Sequence, residues 1–290
     1  MDINLELYRV FYYVATTLSF SEASRQLFIS QSAVSQAIKT LEAKLNHTLF
    51  IRSTKKVALT AEGELLLSHV SPALQMLTEG ESLLSSQSML KGQLRIGASD
   101  TICRYCLIEA LQRFHQNYPD VRIKVTNSTS IGCVDLLEKS QVDLIVCNYP
   151  NSRFHSDMSF QTILEFEDVF AANPIHFPFG PEKLGWKKLL EYPILMLSPK
   201  STTSEYLHQH FSALGLKLMP EIELNSNDLL LDLARIGLGI ACVPDYMLKK
   251  QTDLRPVPLK SPLPKRRIVL AHSLSQALSP TAEKFIQLLV

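Results

Sequence analysis

The 290-residue chain has no apolar run long enough to span a bilayer and no secretory pattern at its start, so the expected compartment is the cytoplasm and no membrane partner is expected. Net charge is small as well, +1 with His neutral. The 29 Lys and Arg stand against 28 Asp and Glu, which excludes a uniformly polybasic nucleic-acid binder. Cysteine is sparse and odd in number. Cys103, Cys106, Cys133, Cys147 and Cys242, in a chain with no export signal, count against a disulfide framework. A glycine-rich phosphate loop, an HExxH helix and a nucleophile elbow are all missing, so no enzyme is expected. Cys103-x-x-Cys106 lacks a second pair or a His at ligand spacing, and no metal or cofactor is expected. A thiol or metal sensor on Cys103/Cys106 is the alternative reading. A Cys/His enzyme that adds His115 or His155 is a more distant one.

What is present is a globular composition, 46% hydrophobic and 20% charged, in a chain long enough for more than one core. Its charge is unevenly spread. Through Thr60, Arg9, Arg25, Lys39, Lys44, Arg52, Lys55 and Lys56 outnumber Asp2, Glu6, Glu22 and Glu42. Ala61 to Leu90 then carries Glu62, Glu64, Glu79 and Glu81 with no Lys or Arg. Positive charge in one segment is the footprint of a DNA-facing head.

Within that head, the periodicity from Ser19 to Thr60 predicts a short helix opening at Ser21, a polar turn at Phe28-Ile29-Ser30, and a longer helix from about Gln31 to Leu45. Val34, Ile38, Leu41 and Leu45 form one apolar stripe. Gln31, Ser32, Ser35, Gln36 and Lys39 fall on the opposite face, where hydroxyls, amides and a lysine can pair with base edges. Helix, turn and second helix is the order of a helix-turn-helix. The next residues, LFIRS, a TKK turn and VALT, read as a hairpin wing holding Arg52, Lys55 and Lys56 near phosphate.

On either side, Asn4 is placed to cap a first helix with an apolar edge of Leu7, Phe11, Val14 and Leu18, and Thr60 to cap a long helix. Leu66, Val70, Ala73, Leu77 and Leu84 give that long helix a coiled-coil seam, which predicts dimerisation. Pro72 predicts a kink or break. Ser85 to Gly92 reads as a hinge.

Beyond the hinge, β-branched runs alternate with helical patterns near Cys103–Asn117, Ile131–Ser140, Thr203–Leu214 and Asn227–Ile236. This predicts an α/β region with largely parallel sheets in two lobes. Hydroxyl-rich loops follow several strands. Ser99, Thr101, Ser128, Thr129 and Ser130 are candidate effector ligands from one lobe, and Ser201, Thr202 and Asn227 from the other. Ligands bind outside strand carboxyl ends, and helix N-termini there favour an anion. Lys200 is the cation inside these loops, with Arg104 and Arg153 near in sequence.

Ser19-Phe20, Ala23, Leu27, Ser30-Gln31, Ala33-Val34-Ser35, Ile38, Leu41-Glu42, Leu49-Phe50, Arg52, Leu59-Thr60 and Gly63 together resemble the winged helix-turn-helix of LysR-type transcriptional regulators. Ser24 and Ser32 depart from the family's usual alanine and proline. Val142-Asp143-Leu144-Ile145, Gly237-Leu238-Gly239-Ile240-Ala241 and Pro244 are similar to its effector domain. The resemblance implies a two-lobed, periplasmic-binding-protein-like regulatory domain joined to the all-α winged head by a linker helix. The implied domains are 1–60 (head), 61–92 (linker helix and hinge) and 93–290 (effector domain). Within the last, lobe I would take about 93–165 and 263–290, and lobe II about 166–262. It further implies promoter DNA, a small-molecule effector and RNA polymerase as partners, in a homodimer or homotetramer.

Overall fold

The computed structural model describes residues 3–52, 57–85 and 90–289, with the backbone alone at 52, 75, 79, 81–85 and 250. Two compact units divide the chain, Met1–Gln87 and Ser88–Val290.

The first unit contains α1 (Leu5–Thr17), α2 (Phe20–Leu27), α3 (Gln31–Leu45), the hairpin β1 (Phe50–Arg52) and β2 (Val57–Leu59), and α4 (Ala61–Ser85). Side-chain oxygens open its helices. Asn4 accepts from Glu6 N, Ser19 from Glu22 N and Ser30 from Ala33 N. The second helix therefore starts at Phe20 behind a Ser19 cap, one residue before the expected Ser21. Leu18 is also corrected. It is the left-handed C-cap of α1 and 47% exposed, so it leaves the apolar edge to Leu7, Phe11 and Val14.

Phe11, Val14, Val34, Ile38, Leu41, Leu49 and Phe50 form the core of this unit, with Phe50 packed 5.5 Å from Phe11 and 5.9 Å from Phe20 between ring centres. Glu42 Oε1 accepts from the backbone N–H of Leu49 and Phe50 and so ties α3 to the hairpin. Thr60 caps α4, accepting from Gly63 N. Gly63 is required there, because a Cβ would lie 2.2 Å from Leu49 O.

α4 continues through Pro72, against the expected break. Val70 before the proline and Leu74 after it both pack into the head core, which outweighs one lost backbone bond. The seam is corrected as well. Leu66 and Val70 face α1 within the same chain, with Val70 only 7% exposed, whereas Ala73 is exposed and Leu77 is 49% exposed. Leu84's side chain lies outside the described residues.

The second unit begins β3 (Gly92–Ala98), α5 (Asp100–Ile102), a π turn (Cys103–Leu107), α6 (Ile108–Asn117), β4 (Val121–Asn127), α7 (Ser130–Glu138), β5 (Leu144–Tyr149) and β6 (Met158–Phe166). It continues with β7 (Asp168–Ala172), α8 (Trp186–Leu189), β8 (Ile194–Leu197), α9 (Thr202–Ala213), β9 (Ile222–Leu224) and α10 (Asn227–Arg235). Last come β10 (Ile240–Pro244), β11 (Arg255–Pro256), β12 (Arg266–Ser273) and α11 (Pro280–Leu289).

Two five-stranded sheets make two lobes, in the orders β4-β3-β5-β12-β6 and β11-β7-β10-β8-β9. The sheets are mixed, which corrects the largely parallel expectation. β3 pairs in parallel with β4 and β5, and β8 with β9 and β10. β12 runs antiparallel to β5 and β6, and β7 to β10 and β11. The antiparallel pairs arise where the chain crosses between lobes: β6 leaves one sheet, β7 enters the other, and β12 brings the chain back. A shared apolar floor that includes Phe166, Leu195, Leu230 and Tyr246 joins the lobes beneath the crossings.

Candidate functional site

In the first unit the outer face of α3 carries Gln31, Ser32, Gln36 and Lys39, all exposed, with Ser35 half-buried beside them. Ser35 is thus less open than the sequence suggested, because it flanks the buried Val34 and Ile38 stripe. Ser21 Oγ donates to Gln31 Oε1 at 3.1 Å, and Ser30 and Ser32 share a 2.9 Å hydroxyl contact. These bonds hold the start of α3 against the turn. The Arg52 side chain and Lys55 and Lys56 lie outside the described residues.

In the second unit a cleft of about 610 Å³ opens between the lobes. Ser99, Thr101, Ser128, Thr129, Ser130, Ser201, Thr202 and Asn227 all line it, so every expected effector residue is brought to one place. The loops reach it because each follows a strand's carboxyl end and opens a helix. Ser99, Thr129, Ser201 and Ser226 are the N-caps of α5, α7, α9 and α10, accepting from Ile102, Gly132, Ser204 and Leu229 N–H. The N-termini of α7, α9 and α10, and of the run from α5 to α6, therefore meet at one cavity. Their first N–H groups lack intrahelical partners, and their dipoles favour negative charge.

Capping does not exhaust the hydroxyls. An oxygen that accepts from a backbone N–H keeps its own proton to donate, as at Ser99 and Thr129. Ser130 Oγ accepts from Asn148 N at 3.0 Å and likewise keeps its proton. Ser201 is spent differently, since it also donates to Ser198 O at 3.0 Å. Ser128 lies over Gly132, where a Cβ would come within 2.3 Å of its hydroxyl oxygen.

Contacts across the cleft join the lobes. Asn227 Nδ2 donates to Thr101 Oγ1 at 3.1 Å, Tyr105 Oη to Asp228 Oδ1 at 3.0 Å, and Ser152 Oγ to Glu205 Oε2 at 3.0 Å. Lys200 lines the cleft and is exposed. The neighbouring cations are engaged elsewhere, Arg104 with Asp228 and Arg153 with Asp135 and Glu138.

Asn148 and Tyr246 also line the cleft without having been singled out, and Asp100 and Ser226 come with the loops of Thr101 and Asn227. Asn148 ends the run VDLIVCN, and the strand-end rule that marked the other loops would have found it. Arg266, beneath the cleft, donates to Thr202 Oγ1 and Thr203 Oγ1. No local pattern marks it.

The thiol alternative loses its chemistry. Burial, with Asp100 adding to it, pushes the Cys103 thiol up to about 11. Burial, with Cys103 adding to it, pushes Cys106 up to about 12. A redox sensor needs a lowered pKa and a ready thiolate. His155 pairs with Glu138, and His115 lies nine residues beyond Cys106, about 13 Å at the helical rise, so no Cys/His dyad forms. Among the described residues, no group of three or more His, Cys, Asp or Glu side chains could hold a metal, and no helix is long and apolar enough to cross a membrane.

The family model described as "Bacterial regulatory helix-turn-helix protein, lysR family" matches residues 5–64, and the one described as "LysR substrate binding domain" matches residues 87–290. A probable nitrogen assimilation transcriptional activator of Synechococcus elongatus is 30% identical, over 95% of this chain and 90% of its own. Full-length CbnR complexed with target DNA matches with a TM-score of 0.66 at 18% identity, over 99% of this chain and 98% of that one. The CcmR regulatory domain of Synechocystis PCC6803 in complex with 2-PG matches with a TM-score of 0.63 at 20% identity, over 69% of this chain and 96% of that one. The chain belongs to the LysR family of transcriptional regulators, with a helix-turn-helix head and an effector-binding domain of two lobes.

Proposed function

We propose that this regulator reads promoter DNA through Gln31, Ser32, Ser35, Gln36 and Lys39, holds phosphate with Arg52, Lys55 and Lys56, and is controlled by a small anion in the interlobe cleft. The convergence of four capped helix starts and Lys200 on one cavity carries the effector half of the reading. Ser99, Thr101, Ser128, Thr129 and Ser130 contact the anion from one lobe, and Thr202 and Asn227 from the other. Ser201 serves through its cap on α9, since its backbone N–H and its hydroxyl both donate to Ser198 O. A ligand shifts a conformational equilibrium only by its differential affinity for the two states, so contact with both lobes is what makes binding a signal. The 2-PG held by the CcmR regulatory domain supports a small-molecule effector.

The head domain spans 1–60, the linker helix and hinge 61–92, and the effector domain 93–290. The active species is a homodimer or tetramer acting with RNA polymerase in the cytoplasm. Dimer contact falls on the outer face of α4, where Leu65, Ala73, Met76 and Leu77 are exposed. Footprinting on the promoter region beside the gene, with and without small organic acids, tests the proposal. Protection that is sequence-specific and shifts with an acid is the expected result. No protected site would remove the DNA reading, and protection indifferent to every acid would remove the anion.

A further inference from the structure

The cleft offers more than positive ends of helices. Asn148 reaches it from the end of β5 in one lobe, and Asn227 from the start of α10 in the other. Each keeps a buried amide oxygen with no hydrogen-bond partner among the described residues. Asn227 is only 8% exposed, so water does little for that oxygen. An unsatisfied buried acceptor costs roughly the desolvation of the group, and native proteins rarely leave one without a use. Asp100 adds a third acceptor, an exposed carboxylate on the same wall. A cleft built only to attract a bare anion has no need of that carboxylate, which would repel it.

The apolar lining argues in the same direction. Ile102, Leu197 and Tyr246 are the apolar and aromatic side chains of the lining, set among fifteen polar residues whose own carbon atoms add to the hydrocarbon surface. A ring or alkyl chain would cover those polar groups without pairing them. Hydrogen-bond donors on the ligand would pair them.

We propose that the effector is a hydroxylated small acid: its acid group faces the helix N-termini and Lys200, and its hydroxyl groups donate to Asn148, Asn227 and Asp100. This inference rests on the anion-cleft reading and names the class of anion. Size agrees, because about 610 Å³ holds a small acid together with bridging water.

The test uses two series in which charge and carbon skeleton are fixed and hydroxyl count rises: propionate, lactate and glycerate, then succinate, malate and tartrate. Each is titrated against the full-length protein at constant ionic strength and followed by thermal shift. Affinity should rise about three- to tenfold per added hydroxyl, as one net hydrogen bond provides. Asn148→Ala should lower the preference for hydroxylated over plain acids by about three- to tenfold, the share of one hydrogen bond. Equal affinity along both series, or tighter binding of benzoate than of either series, overturns the hydroxylated class while leaving an anion site in place. Preference for L-alanine over lactate, lost in Asp100→Asn, would assign an ammonium donor and overturn the hydroxyl assignment. No binding by any acid would overturn the anion-cleft reading itself.

Discussion

Arg266 Nη1 lies 2.7 Å from Asp168 Oδ2, with both side chains wholly out of solvent. Arg266 opens β12, which returns the chain to the first lobe, and Asp168 opens β7, which begins the second. The pair therefore clamps the two crossing strands at the point where the lobes meet. The guanidinium also donates to Thr203 at 3.0 Å and to Thr202 at 3.3 Å, and faces the Phe166 and Tyr206 rings at 5.4 and 4.8 Å. Thr202 lines the cleft, so the clamp and the cleft share a side chain.

Removing one member of the clamp leaves a buried charge without its partner, at a cost of about 3–5 kcal/mol. Arg266→Met should lower stability by that amount in urea titrations. Arg266→Met combined with Asp168→Asn should recover part of the loss, because no lone charge remains. A single variant as stable as the parent would remove the clamp from the account.

On α4 the apolar stripe splits into two roles. Val70 is core of the head, while Leu77 is exposed. Val70→Asp should therefore destabilise the head by on the order of 3 kcal/mol, since a carboxylate would be buried unpaired. Leu77→Glu should leave melting nearly unchanged but shift light-scattering mass toward smaller species and weaken operator binding. Equal effects of the two changes on mass and melting would contradict the split.

For DNA, Lys55→Ala should weaken binding to all sequences alike and flatten the salt slope by about one unit, as loss of one phosphate contact does. Gln36→Ala should relax sequence preference at a cost of about 1–3 kcal/mol, because the proposed docking sets its exposed amide on α3 against base edges. Fluorescence anisotropy on operator and scrambled duplexes at several salt concentrations separates the two patterns. If both variants kept parent affinity and selectivity, the assignment of this face to DNA would fail.

A hydroxyl or amide before an apolar periodic run is a local pattern, and it marked the caps at Asn4 and Thr60; Ser30, Thr129 and Ser201, read as turn or ligand residues, cap by the same pattern. The cleft followed, since the loops that cap are the loops that line it. Periodicity on α4 showed a stripe but not its partner, and so could not tell that α1 covers Leu66 and Val70. β6 gave no clean alternation, because it is an edge strand with mixed exposure. Arg266 was invisible for a different reason. Its carboxylate is 98 residues away, and an arginine in a basic run reads as surface until the fold buries it.

Control by hydroxyls and control by thiols make opposite predictions. Loss of one hydrogen bond to a charged ligand costs about 1.5–3 kcal/mol, so Ser128→Ala or Thr202→Ala should weaken the effector response about tenfold or more. Cys103→Ser and Cys106→Ser should leave that response intact, since burial holds both thiols protonated, up to about 11 and about 12. The direction with pH follows. A raised thiol pKa means little thiolate at neutral pH, with the thiolate fraction rising about tenfold per pH unit until the pKa is reached. Iodoacetamide labelling of the two cysteines, followed by mass spectrometry, should therefore be slow at pH 7–8 and still climbing at pH 10. A plateau below pH 8, together with a reporter response lost only in the cysteine variants, would transfer control to Cys103 and Cys106.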